Sequence, residues 1–177
     1  MNIFYLDRDP INAAQCLHDT HVRKMLIESA QMLANGYSLE QLEQAPKTKE
    51  GTVRRHYNLN HPCCKWTIEN YEQFRWLQDY AVALTREYKF RFGKTHFTSS
   101  FITWSLYTEP TNIASYFGWS NPPQVMPEEF KQISTVYAYR SYYYTKMVNK
   151  AGKRLDTWTR SNKPGWLKVD YPDWAIR

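Results

Sequence analysis

Residues 62–93, PCCKWTIENYEQFRWLQDYAVALTREYKFRFG, decide the fold. Ile68, Tyr71, Phe74, Leu77, Ala81, Leu84 and Tyr88 recur at the spacing that lines one face of a helix. Pro62 suits a first helical turn, and Gly93 suits the residue just past the end. At 1.5 Å per residue a helix over about 62–92 would run roughly 45 Å. A kink within it is expected.

A second helix is read over about 10–35. Asp9 stands as its N-cap and Pro10 at its first position. Ile11, Ala14, Leu17, Val22, Met25, Leu26, Ala30 and Leu33 then recur at helical spacing, and Gly36 closes the helix as a C′ residue. Ser38 to Gln41 reads as a capping box opening one or two turns. A weaker helix covers about 98–107. Pro127-Glu128-Glu129 opens a last main helix over about 127–149, running through Tyr137, Arg140, Tyr143, Tyr144 and Met147. Residues 2–7 (NIFYLD) are apolar and β-prone, a strand or extended arm. Residues 45–60 and 108–126 read as loops. The expected fold is mainly α: a compact single-domain helical bundle over residues 1–177, with a short N-terminal extended segment and an aromatic-rich basic C-terminal tail.

The 177 residues suit one domain with its own core. Six glycines are few for a fold of many short strands. Mean hydropathy is −0.70, yet 16% of residues are aromatic, so the chain is polar with large amphipathic anchors. No apolar run approaches the roughly 20 residues needed to span a bilayer. The N-terminus lacks the apolar stretch of a signal peptide. Three cysteines, two of them adjacent, form no disulfide framework. A cytoplasmic protein is expected, in the host cytoplasm if phage-encoded. The net charge of +6 is uneven: residues 131–177 carry ten Lys/Arg against three Asp/Glu, residues 1–130 thirteen against fourteen. A basic C-terminal quarter interleaved with Trp158, Trp166 and Trp174 fits an anionic partner or, equally simply, a solubilising tail.

Three constellations carry chemistry. His21, Lys24, Glu28 and Gln31 share one helix face. Glu28, beside an apolar stripe and flanked by His and Lys, suits an acid or base; the plain alternative is a solvated Lys24–Glu28 pair. His18, His21, His56, His61, Cys63 and Cys64 contain metal-ligating types, but no set has a diagnostic spacing, so no metal is expected. Arg140, Tyr142, Tyr143, Tyr144, Lys146, Lys150, Lys153, Arg154, Trp158, Arg160 and Lys163 alternate rings with cations, as sites for unstacked bases do; packing of half these rings into a core explains them as well. Arg54 and Arg55 add two cations in the 45–60 loop. Asp7-Arg8-Asp9-Pro10 either caps the helix or brings a second acid near Glu28. Phosphate-binding Gly loops and the GxSxG nucleophile motif do not occur.

Asp19-Thr20-His21, with Glu28 seven residues after His21, resembles the first helix of the T-even phage endonuclease V type, the pyrimidine-dimer DNA glycosylase/AP lyase family. The stretch from His61 through Tyr71, Phe74, Arg75, Leu84, Glu87 and Arg91-Phe92-Gly93 is similar to that family's long central helix. Pro127-x-Glu129-Phe130 and the aromatic, Lys-rich C-terminus add a third likeness. The N-terminal FYLDxDP and the DxHVxKM helix also look like those of small tailed-phage proteins. The resemblance implies a compact helical fold and no cofactor. It further implies that an amine attacks C1′ of a damaged nucleotide while Glu28 moves protons, and that His21, Arg23 and Lys24 hold phosphates. Arg54, Arg55, Arg140, Tyr143, Lys146, Trp158 and Arg160 are the further candidate contacts to a phosphate-bearing ligand, and the aromatic C-terminus would stack on a distorted duplex. The family's nucleophile is the α-amine of a small second residue. Asn2 is bulkier and hinders removal of Met1, so the Met1 amine or a lysine such as Lys24 takes that place, and a glycosylase without the lyase step is also consistent. A different class fits too: a noncatalytic binder of small cyclic or ADP-ribose-type nucleotides that sequesters an immune signal as an anti-defence protein. An open basic face would favour DNA, a closed cationic pocket the small nucleotide.

Overall fold

The computed structural model describes residues 1–148, 152 and 154–167. Among them are seven α-helices: α1 Pro10–Gln15, α2 Asp19–Ala34, α3 Leu39–Gln44, α4 Pro62–Glu69, α5 Tyr71–Phe92, α6 Ser99–Tyr107 and α7 Thr135–Tyr144, with a 3-10 turn at Glu128–Phe130. No β-strand occurs among the described residues; Val148 and Arg154 form an isolated antiparallel bridge. Lys150, Lys153, Trp174 and the expected helix end at 149 lie outside the described residues.

The helix read over 62–92 is two helices meeting at Asn70. This residue has extended backbone (φ −152°, ψ 165°), and its side chain accepts from the Gln73 amide, ending α4 and capping α5. An Asn side chain competes with the helix backbone in this way. The helix read over 10–35 likewise breaks at Cys16–His18 into α1 and α2. Asp9 caps α1 by accepting from the amides of Ile11 and Asn12, with Pro10 following, and Ser38 and Gln41 form the capping box of α3. Gly93 ends α5 in the left-handed region (φ 65°). Gly36 is needed for a different reason: a Cβ there would collide with the Phe74 ring. The last main helix is shorter than read. It starts at Thr135, capped by Ser134, while 128–130 is only a 3-10 turn.

The centre is α5 against α2. Phe74, Leu77, Ala81 and Leu84 of α5 and Val22, Met25, Leu26, Ala30 and Leu33 of α2 are fully buried. Burial of such side chains stabilises by about 1.5–3 kcal/mol each. The N-terminal arm forms no strand. It threads through the core, with Ile3, Phe4, Tyr5 and Leu6 buried and Phe4 held at φ 51°. That threading brings the first residues onto α2. No helix among the described residues is long and apolar enough to cross a membrane.

Candidate functional site

Glu28 projects from the surface-facing side of α2, its side chain 13% exposed. Its Oε2 accepts the Asn2 amide at 3.1 Å, and its Oε1 lies 3.4 Å from Lys24 Nζ, whose side chain is half exposed. Asn2 is fixed from its other end: Nδ2 donates to the Val125 carbonyl at 2.9 Å, and Oδ1 accepts the Phe4 amide. Met1 is seated by its sulfur, 3.3 Å from Cys64 Sγ. The start of α4 faces the same spot. His61, the α4 cap, is held below its ordinary pKa by burial and by the chain's terminal amine, with Glu28 acting the other way. Cys63 is pushed up to about 12 and Cys64 to about 11, burial being the main cause, and both also feel the amine and Glu28. These thiols are poor nucleophiles at neutral pH. The first two residues of the chain thus touch both Glu28 of α2 and Cys64 of α4.

Seven residues earlier on α2, His21 sits in a different environment. It is 7% exposed, stacked between Phe4 (4.7 Å) and His18 (4.2 Å), with Nδ1 3.1 Å from the Tyr143 hydroxyl. Burial, then the charges of His18, Lys24 and Lys146, lower its pKa to about 2, and burial lowers that of His18 to about 4. A neutral interior imidazole offers no charge to a phosphate; its geometry is that of a packing residue. Tyr143, read as a stacking surface, is fully buried, its hydroxyl also accepting the His18 amide. A ring with no exposed face cannot stack on a base.

The other sequence candidates separate in the same way. Arg23 is exposed, over the Phe92 ring at 4.3 Å, and Arg55 is exposed. Arg54 is buried: it donates to the Pro46 carbonyl and lies over Phe101, so its guanidinium serves packing. Arg140 donates to the Leu6 carbonyl (2.8 Å) and to Asp7 Oδ2 (3.2 Å), which makes Asp7 the partner of Arg140 and not a second acid at Glu28. Lys146 sits over Tyr142 at 4.2 Å. Trp158 is half-buried, its Nε1 donating to the Cys16 carbonyl, and Arg160 is exposed with φ 56°. Among the described residues no group of three His, Cys, Asp or Glu side chains is gathered as a metal site.

A polar hub missed by sequence reading fixes the N-terminus of α2. Arg91, fully buried, donates to Glu87 Oε2, to the carbonyls of Leu17 and Gln15, and to Asp19 Oδ1. Asp19 also accepts from the Thr159 amide and hydroxyl and donates its own amide to the Thr157 carbonyl, tying the C-terminal segment to the core. Burial raises the Asp19 pKa, but these hydrogen bonds outweigh it and hold the carboxyl below its ordinary value. The resemblance had picked out Asp19, Glu87 and Arg91, but nothing in the sequence joined them into one hub.

This small helical scaffold threads its own N-terminal residues onto a helix carboxylate. The chain belongs to the pyrimidine dimer DNA glycosylase family, whose model matches residues 1–100. That span holds Met1, Asn2, Glu28 and His61. No curated protein and no solved structure matches the chain. Membership makes DNA its partner class and glycosylase-like action on damaged bases its functional class. Neither the family match nor the site points to sequestering of a small nucleotide signal.

Proposed function

We propose that the protein is a DNA N-glycosylase that removes damaged bases through an amine at the start of the chain. The observation that carries this reading is the hydrogen bond from the Asn2 amide to Glu28, which holds the chain's beginning against a carboxylate. The Met1 amine attacks C1′ of the damaged nucleotide. The C1′–N glycosidic bond breaks, and the base leaves with the electron pair and takes a proton. Glu28 accepts a proton from the newly substituted amine and returns one to O4′ as the C1′–O4′ bond opens, leaving an imine at C1′. Lys24, Arg23 and Arg55 are the exposed cations offered to phosphates, with Arg160 on the C-terminal segment. His21 and Tyr143 hold the scaffold; Arg54, Arg140 and Trp158 are anchored to the protein's own groups; Lys146 lies against Tyr142.

UV-irradiated and unirradiated plasmid, with borohydride added to one set, tests this. Damage-dependent nicking, after alkali if the lyase step is absent, together with a trapped adduct on the N-terminal peptide, is the expected result. Glu28→Gln is expected to reduce the rate by about 100-fold or more, the scale of a general acid–base contribution. Undiminished base release in Glu28→Gln, or an adduct on Lys24, overturns the assignment.

A further inference from the structure

A short loop after α6 carries exposed aromatic rings that the site does not use. Tyr116 and Phe117 are 61% and 82% exposed, and Trp119, in the same loop, is also exposed. Contiguous exposed rings of this size mark an interaction site more often than chance. The loop is not loose. The Tyr71 amide donates to Ser115 O, Asn70 Nδ2 to Gly118 O at 2.7 Å, and Trp66 Nε1 to Ser120 O at 2.9 Å, so bonds from the α4–α5 junction pin it before, within and after the rings. Tyr116 lies 5.9 Å from Tyr71, and Trp119 meets Trp66 edge-on at 5.8 Å. Ala114 and Ser120, on either side of the rings, line a cleft of about 630 Å³ whose walls include Trp66, Ile68 and Ile113, with Lys65 and Glu69 among its polar groups.

We infer that Tyr116, Phe117 and Trp119 are a stacking platform for unstacked nucleobases of the DNA beside the reacting nucleotide, with the cleft holding one base. The inference rests on the glycosylase reading for its substrate class. Its position argues for DNA. In the first turn of α4, Cys64 touches Met1, whose neighbour Asn2 bonds Glu28, while Lys65, Trp66, Ile68 and Glu69 wall the cleft. The opposite wall includes Pro123, two residues from the Val125 carbonyl that holds Asn2. From Cys64 to Glu69 the helix rises about 7.5 Å, on the scale of two stacked nucleotides at about 3.4 Å each. A DNA strand with its reacting sugar at Glu28 thus reaches the cleft within a few nucleotides. Glu69 in the wall repels a phosphate but accepts from a base amino group, and Lys65 offers the strand a cation. Rigid exposed rings also suit stacking, since little side-chain freedom is lost on binding and every base has a face to offer.

The test uses the full chain with Tyr116→Ala/Phe117→Ala and, separately, Glu28→Gln. Duplexes carry 2-aminopurine at successive positions beside an abasic site, and affinity and fluorescence are read together; turnover is read on a short single-stranded lesion substrate. The wild type and Glu28→Gln are expected to bind and to raise 2-aminopurine fluorescence at one or two positions. The double variant is expected to bind on the order of 10- to 100-fold more weakly, to lose the fluorescence gain, and to keep its circular dichroism. Affinity and fluorescence within twofold of wild type overturn the platform. So does loop-dependent self-association, read by sedimentation, with unaltered DNA binding. If no protein releases a base, the glycosylase reading falls, while the binding and fluorescence arms still decide the platform.

Discussion

Residues 139–147 and residues 116–119 are both dense in aromatic rings, yet the fold treats them oppositely. Tyr139, Tyr143 and Met147 are fully buried on and after α7, where Tyr143 meets the Phe4–His21–His18 stack. Tyr116 and Phe117 stand in solvent on a pinned loop. The difference lies in what each segment is packed against. The α7 region closes over the N-terminal arm and the start of α2, whereas the loop spends its hydrogen bonds on the α4–α5 junction through backbone carbonyls and leaves its rings outward. Ring content alone does not tell an exposed aromatic surface from core; what each segment packs against does.

Breaking the buried side has the largest expected effect. Arg91→Met leaves Glu87 and Asp19 without their shared guanidinium. Removing one partner of a buried pair costs about 3–5 kcal/mol, and truncating a buried ring at Tyr143→Ala costs about as much. Chemical denaturation is expected to show both as large losses, and a loss below about 1 kcal/mol for Tyr143→Ala would mean the α7 side is not core.

Acid should find the same region. The pKa values of His18 and His21 are about 4 and about 2 in the fold, depressed from an ordinary 6.5, because burial disfavours their charged forms. The unfolded chain binds these protons first, so stability is full above about pH 6.5 and falls as pH drops toward 4. The slope is at most about 1.4 kcal/mol per pH unit for each ring. Asp19, depressed below 3.8, contributes its loss only at still lower pH. Comparing wild type with His21→Gln between pH 6.5 and 4 isolates the imidazole, and equal slopes would place His21 in water. Tyr143→Phe sharpens the point more gently: it removes the hydroxyl that partners the His18 amide and His21 Nδ1, for about 1–3 kcal/mol.

Local chemistry was readable in the sequence: the Asp9-Pro10 start, the Ser38–Gln41 box and the Gly93 stop each depend on a few neighbouring residues. A kink within 62–92 was expected but not its place at Asn70, and the break at Cys16–His18 was not read, because apolar periodicity continues across both and an Asn side chain decides the former. Glu28 stood out through its seven-residue spacing from His21. The arrival of Asn2 on its carboxylate, across 26 residues, is a tertiary event that spacing cannot convey. Arg54 and Tyr143 misled for the same reason: a cation or ring is only a ligand contact if packing leaves it exposed. The 108–126 loop was read from its Pro, Asn and Ser content, which hid the rings between them.

The smallest expected effect on stability belongs to Phe117→Ala. The backbone groups of Phe117 bond Ser115 Oγ, and alanine keeps both bonds. The ring is 82% exposed, so its loss should change unfolding free energy by no more than about 0.5 kcal/mol, as at ordinary surface sites. The same substitution at Tyr143 removes several kcal/mol, and the pair can be run side by side in one urea titration. A Phe117→Ala protein that unfolds as early as Tyr143→Ala would make that ring a structural one and collapse the contrast between the two regions. If it instead unfolds with the wild type while its affinity for lesion duplex falls, the ring acts on DNA rather than on the fold.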